Sequence, residues 1–127
     1  MGAIMPWPTS SRKETPREQN GPLPVRDGLA ANRRFAGLAT SSHEDTHAGE
    51  VETSVLLHAH PELVRESYYA ADWVAHDRRH LLTTGMGEYT RSEVIGRPSL
   101  ATAEKGKALL ASLVGSFASV LEILLRG

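Results

Sequence analysis

The residues best able to do chemistry sit together in His43-Glu44-Asp45-Thr46-His47-Ala48-Gly49-Glu50-Val51-Glu52-Thr53-Ser54. Two histidines, four carboxylates and three hydroxyls share these twelve positions, and no Lys or Arg follows until Arg65. An apolar run, Val55-Leu56-Leu57, comes next. Titratable groups crowded at the mouth of a buried element are the material of general acid–base or metal-assisted chemistry. His47 and Glu50 are three residues apart. On a helix that spacing stacks them on one face, a geometry that metals use. The same pair also fits a plain helix start, where acids complement the dipole. Glu52 lies just before the apolar run. Desolvation there would raise its pKa and suit it to proton transfer or to fixing a neighbouring imidazole. The plainer reading is an exposed helix acid. Thr53 and Ser54 lack the G-x-S-x-G surroundings of an activated serine. His58 and His60 point apart on a helix, and Asp77-Arg78-Arg79 between His76 and His80 reads as a solvated surface.

These residues need elements to position them. A helix is expected from about His47 to His58 or His60, stopped by Pro61, with acids in its first turn. Val51, Val55 and Ala59 would face the core at i, i+4, i+8. Pro61-Glu62-Leu63-Val64 reads as a short helical turn opened by proline. Upstream, residues 29–38 form a short helix stopped near Gly37. Ala39 to Thr46 is a polar loop. Residues 67–79 carry Tyr68, Tyr69 and Trp73 but no sustained period. His80 to Thr84 reads as a strand ended by Gly85-Met86-Gly87, and Val94 to Pro98 as a loop into the last helix. That helix is the clearest element: Leu109, Leu110, Leu113, Val114, Phe117, Val120, Leu121 and Leu124 repeat as a stripe for core or subunit packing. Five of the seven prolines fall within residues 1–24, so residues 1–30 are expected to be an irregular or disordered leader.

The 127 residues bound the chain at one domain with a modest core. A formal net charge of −1 gives no general attraction to nucleic acid, and Arg12, Lys13, Arg17 and Arg26 form only a diffuse basic patch. The absence of cysteine excludes disulfides, thiolate zinc sites and a Cys nucleophile. No run of 18 apolar residues occurs and no signal-peptide pattern opens the chain. No membrane partner is therefore expected, and a cytoplasmic location is the default.

Two blocks carry a family likeness. Asp45-x-His47-Ala48-Gly49-Glu50-x-Glu52-Thr53-Ser54, followed by Leu56-Leu57 and Pro61-Glu62-Leu63-Val64, resembles the creatininase (creatinine amidohydrolase) family. Gly85-Met86 and Val94-Ile95-Gly96-Arg97-Pro98-Ser99-Leu100-Ala101-Thr102-Ala103-Glu104-Lys105-Gly106 resemble that family's C-terminal loop and last helix. The likeness covers residues 33–127. It implies an α/β fold, an α/β/α layering on a mainly parallel sheet. It also implies a homo-oligomer and a centre of zinc or manganese that hydrolyses a C–N bond of a small-molecule amide, cyclic or otherwise non-peptide. Two cations in such a centre polarise the carbonyl and supply hydroxide at neutral pH.

By motif, His47 falls on the family's substrate-facing histidine, which moves a proton at the scissile nitrogen. Glu52 falls on the carboxylate that supports the helix start and the site wall. Glu44, with Asp45 and Glu50, falls on the substrate-lining stretch. Thr46 stands where creatinine-cleaving members have glutamate, and His43 where they have tryptophan; both differences argue against creatinine as substrate. The family's metal motifs, Glu-x-His-Gly and Asn-Gly-His, are not found here; Asn20-Gly21-Pro22-Leu23-Pro24 is only an echo. The expectation is therefore a truncated, helix-rich C-terminal portion over residues 31–127. It should keep the helices and two strands, and it should bind metal poorly alone. The rival expectation is a non-catalytic fragment that keeps only a packing or oligomerisation role through residues 100–126.

Overall fold

The computed structural model describes residues 25–126. Four helices order the chain: α1 (Val25–Phe35), α2 (Glu50–Ala59), α3 (Leu81–Thr84) and α4 (Ala103–Leu125). Short 3-10 turns at Pro61–Leu63, Glu66–Ala70, Met86–Glu88 and Pro98–Leu100 link them. The body is α2 laid against the first half of α4, with α1 against the same helix. Among the described residues, β-pairing is limited to two isolated antiparallel bridges, His47 with Ile95 and Trp73 with Gly96. The helices expected from sequence are present. Among the described residues the strand expected at His80 to Thr84 is absent, that segment being helical, and extended chain elsewhere pairs only through single-residue bridges, too little to complete a ladder.

α1 begins at Val25, so residues 25–30 are helical rather than part of a leader. Residues 1–24 of that expected leader lie outside the described residues. α2 starts at Glu50, not His47. The helix is delayed because Ala48 takes a left-handed conformation at φ 51°. His47 instead bridges Ile95, its N–H donating to the Ile95 carbonyl at 3.1 Å and the Ile95 N–H donating back at 2.9 Å. His47 and Glu50 therefore do not share a helical face. The buried side of α2 is Glu50, Thr53 and Ser54; Val51 and Val55 are half-buried and Ala59 is exposed. Residues 81–84, expected as a strand, form a helical turn that ends at Gly85.

Two close backbone crossings set the packing. Gly106 of α4 meets the Ser54 carbonyl of α2 so closely that a Cβ there would run into it. Gly96 passes Gly49, and a Cβ on Gly96 would lie 2.6 Å from the Gly49 Cα. Glycine at these points lets two elements touch main chain to main chain. Thr102 caps α4, its hydroxyl accepting from the Lys105 N–H at 3.2 Å.

The stripe of α4, expected to serve core or subunit packing, is buried only at its start. Leu109 is 1% exposed, whereas Val114, Phe117 and Leu124 are 69%, 71% and 72% exposed. Periodicity marks an apolar face but not what covers it, and none of the described residues covers this one. By length and composition alone α4 is long and apolar enough to cross a membrane, and almost none of it is buried. Serines, glycine and Glu122 interrupt its apolar pattern, so α4 contains no unbroken apolar run of that length.

Candidate functional site

The acidic stretch folds into two different environments. The first is a buried polar knot. Glu50 is fully enclosed. Its carboxylate accepts from the Ala39 N–H at 3.0 Å, the Thr40 N–H at 2.8 Å, the Thr40 hydroxyl at 2.7 Å and the Lys105 ammonium at 2.6 Å. Burial pushes the Glu50 carboxyl upward, but the Lys105 ammonium and the Ala39 and Thr40 donors outweigh it and hold the group below its usual value. Asp45 accepts from the Val51 N–H at 2.9 Å and lies 3.6 Å from the Arg33 guanidinium. Its burial wins over these partners, so its carboxyl sits above the usual range, and the Glu50 charge adds to the rise. Arg33 also donates to the Thr40 carbonyl at 2.7 Å. The knot joins α1, the 39–45 loop, the start of α2 and the start of α4. No buried side-chain polar atom among the described residues lacks a partner.

The second environment is an exposed rim built around His47. The imidazole lines an open cleft of about 450 Å³ with Met86, Gly87, Thr90, Arg91 and Glu93. Its Nδ1 lies 2.8 Å from the Glu93 carbonyl oxygen. A carbonyl only accepts, so Nδ1 carries a proton, and in the neutral ring Nε2 keeps its lone pair. Glu93 itself has φ 65°. Two non-glycine residues in the left-handed region, Ala48 beside His47 and Glu93 beneath its ring, are strain of the kind that collects at working sites. Glu52 supports this rim: its carboxylate accepts from the Ala48 N–H. Thr53 reinforces it, its hydroxyl donating to the Ala48 carbonyl at 3.4 Å. Glu52 is exposed, so the desolvation expected for it is not present; it stands in the first turn of α2 with its side chain turned back over the helix start.

The other residues singled out in the sequence are spread more widely. Glu44 closes its own loop, accepting from the Ser41 N–H at 3.0 Å and the Ser41 hydroxyl at 3.1 Å, and these bonds hold its carboxyl below the usual value. Ser54 is fully buried and accepts from the Thr102 N–H at 3.2 Å, which occupies it structurally. His60 pairs with Glu62 at 3.0 Å on the surface.

Sequence reasoning missed Arg33, Thr40, Lys105 and the Glu93 carbonyl. Lys105 lies fifty-five residues from Glu50, and no local spacing signals such a pairing. A lone lysine in the first turn of a helix, where the dipole disfavours it, was the one available hint.

Among the described residues no three His, Asp or Glu side chains converge as metal ligands. Asp45 and Glu50, the best-placed oxygen donors, are occupied in the knot. The described residues therefore do not by themselves fit a zinc or manganese centre.

Comparison with known proteins gives the broader setting. The chain is 38% identical over 91 residues to the mycofactocin precursor peptide peptidase of Mycobacterium ulcerans (strain Agy99), covering 68% of this chain and 36% of that protein. It is 36% identical over 95 residues to the protein of the same name in two strains of Mycobacterium tuberculosis, CDC 1551 / Oshkosh and H37Rv, with the same coverage. The chain thus spans about a third of the length of the curated relatives it matches. No solved structure matches it significantly. The family model for creatininase, described as creatinine amidohydrolase, matches residues 11–121, starting well before residue 33, where the motif likeness begins. By that match the chain belongs to the creatininase family.

Proposed function

We propose that this chain supplies the proton-transfer wall of a metal-dependent amide-hydrolysing site. His47 is the catalytic group and Glu52 the positioning residue. The observation that supports this most is the bond from His47 Nδ1–H to the Glu93 carbonyl. It leaves Nε2 as the free basic nitrogen at the cleft, fit to take a proton from a nucleophile and return it to a leaving amine. Glu52 fixes the left-handed Ala48 peptide that aims the ring. Thr90, Arg91 and Glu93 line the space a substrate would occupy. Asp45 and Glu50 serve by locking the loop and α2 in register, and Glu44 by holding the loop tip, rather than by touching substrate. A zinc or manganese ion, which the described residues do not fit, would be held by other ligands and would supply polarisation of the scissile carbonyl. The relatives' name favours a peptide amide as substrate over a cyclic one. A cytoplasmic setting is part of the same proposal.

A chimera tests it. Residues 33–121 replace the matching stretch of the Mycobacterium tuberculosis peptidase, and cleavage of the precursor peptide is measured. Cleavage that disappears with His47→Gln is the expected result. A folded chimera that cleaves equally well with glutamine at position 47 sinks the proposal.

A second reading rests on the bare apolar face of α4. In it the chain is a non-catalytic piece whose role is association, with a second copy as partner. Sedimentation that shows a monodisperse monomer at all concentrations counts against it.

A further inference from the structure

A second cleft, of about 430 Å³, is lined by His43, His76, Asp77, Arg78, Arg79, Leu81 and Leu82. We propose that this cleft binds an oxyanion, a carboxylate or phosphate group of a ligand, with Arg78 as its anchor.

Arg78 is held unusually firmly for a loop residue. Its guanidinium donates to the Ala75 carbonyl at 2.5 Å and to the His43 carbonyl at 2.5 Å, thirty-five residues away. A further contact runs to His43 Nδ1 at 3.4 Å. His43 is oriented to accept it, because its Nε2 lies 3.2 Å from the His76 carbonyl and must donate there. These partners fix the fork but cancel none of its charge. Asp77 does not cancel it either. Both of its oxygens serve Arg79, at 3.0 Å from Nε and 2.9 Å from a terminal nitrogen. Glu44 lies near His76 and keeps its charge, but its Oε2 is turned to Ser41 and it makes no ion pair with Arg78. Among the described residues Arg78 has no carboxylate within ion-pair distance, and it is half-buried.

A rigid, partly desolvated and uncompensated guanidinium is a poor outcome for folding alone. Its full positive charge, with the Nε and Nη1 hydrogens left after the bonds to Ala75 and His43, suits an oxyanion held by charge and single hydrogen bonds. Leu81 and Leu82 supply an apolar wall beside it, and Leu82 is fully exposed at the rim, with no described neighbour to cover it. This wall suits the carbon skeleton attached to the anionic group.

The cleft adjoins the site proposed above. His43 and His47 belong to one loop. α3 walls this cleft, and the turn that follows it, Met86–Glu88, walls the His47 cleft. The oxyanion would then belong to the substrate of the reaction at His47. That extension rests on the proposed function, whereas anion binding at Arg78 does not.

Titration of the chain with inorganic phosphate and, separately, with acetate, followed by amide and guanidinium NMR shifts, tests the binding. Saturable shifts at residues 43, 76, 78 and 82 are expected, and the stronger arm tells phosphate from carboxylate. Leu82→Asp places a negative charge at the rim without touching a packed residue and should weaken binding about tenfold. Leu82→Lys should tighten it. Absence of saturation in both arms, or equal affinity in the Asp and Lys variants, overturns the proposal. In the chimera, Leu82→Asp should raise KM for an anionic substrate. Unchanged KM with anion binding confirmed would detach this cleft from the His47 reaction and leave both sites standing separately.

Discussion

α4 passes through two kinds of surroundings, and the contrast between them shows how this chain is held together. Its first part, up to about Leu113, is pinned by a main-chain crossing at Gly106, a buried Leu109 and the Lys105 ammonium inside the polar knot. Its second part presents Val114, Phe117, Leu121 and Leu124 with nothing among the described residues against them. The apolar half should by composition be the buried one. Here order follows directional bonds and backbone fit rather than apolar area, which remains on offer.

The sharpest way to break this contrast is Gly106→Ala. The added methyl would force α2 and α4 apart at main chain that cannot yield. The expected loss is at the upper end of the ~1–3 kcal/mol typical of overpacking, or beyond it. Thermal melts followed by circular dichroism read it directly. An unchanged midpoint would mean that the two helices are not locked as described.

Glu50→Ala is expected to cost as much or more when the whole knot is counted. It strips the partner from Lys105, from the buried Thr40 N–H and from the part-buried Ala39 N–H, and breaking a buried pair this way costs about 3–5 kcal/mol. Where Gly106→Ala already unfolds the chain, urea titration of the Glu50 variant gives the cleaner number. The pH dependence carries a definite sign. The Glu50 carboxyl is lowered in the folded chain, so its stabilisation is complete above the ordinary value near 4.5 and drains away as pH falls through the folded value. Asp45 is raised, so its ionised form opposes folding at neutral pH and acidification relieves that cost. Unfolding free energy should fall on acidification in the parent and fall less in Glu50→Gln. Equal acid limbs in the two proteins would contradict the placement of Glu50.

Smaller effects test the rim and the bare face. Glu93→Gly removes the left-handed strain and should raise stability by about 1 kcal/mol, once the extra freedom of unfolded glycine is counted. Phe117→Ser with Leu124→Ser should change stability by less than ~0.5 kcal/mol, as for exposed sites elsewhere. The same pair should suppress concentration-dependent association in sedimentation. A large drop in stability would show that this face is already buried against something.

Much of this organisation was legible in the residues. The Pro61 turn, the end of α2 before it and the course of α4 follow from punctuation and period, whereas the buried face of α2 is Glu50, Thr53 and Ser54 rather than the Val51, Val55 and Ala59 row. The His47-Ala48-Gly49-Glu50 block and the Val94–Gly106 block carried the family likeness. What escaped was long-range or conformational. Arg33 with Asp45 and Lys105 with Glu50 join separate elements, and no local spacing encodes them. Ala48 and Glu93 are not residue types that announce a left-handed backbone, so the late start of α2 and the seat of His47 were hidden. The stripe on α4 is legible as a face for core or subunit packing; its start is core and the rest stands open.

One detail of the rim has reach beyond geometry. The group that orders the His47 ring is a peptide oxygen, so replacing the side chain at position 93 does not delete it. Arg91, Glu93 and Met86 are thereby free to be rewritten while the imidazole keeps its tautomer. Selection for a new ligand can act on the cleft lining without first disarming the base.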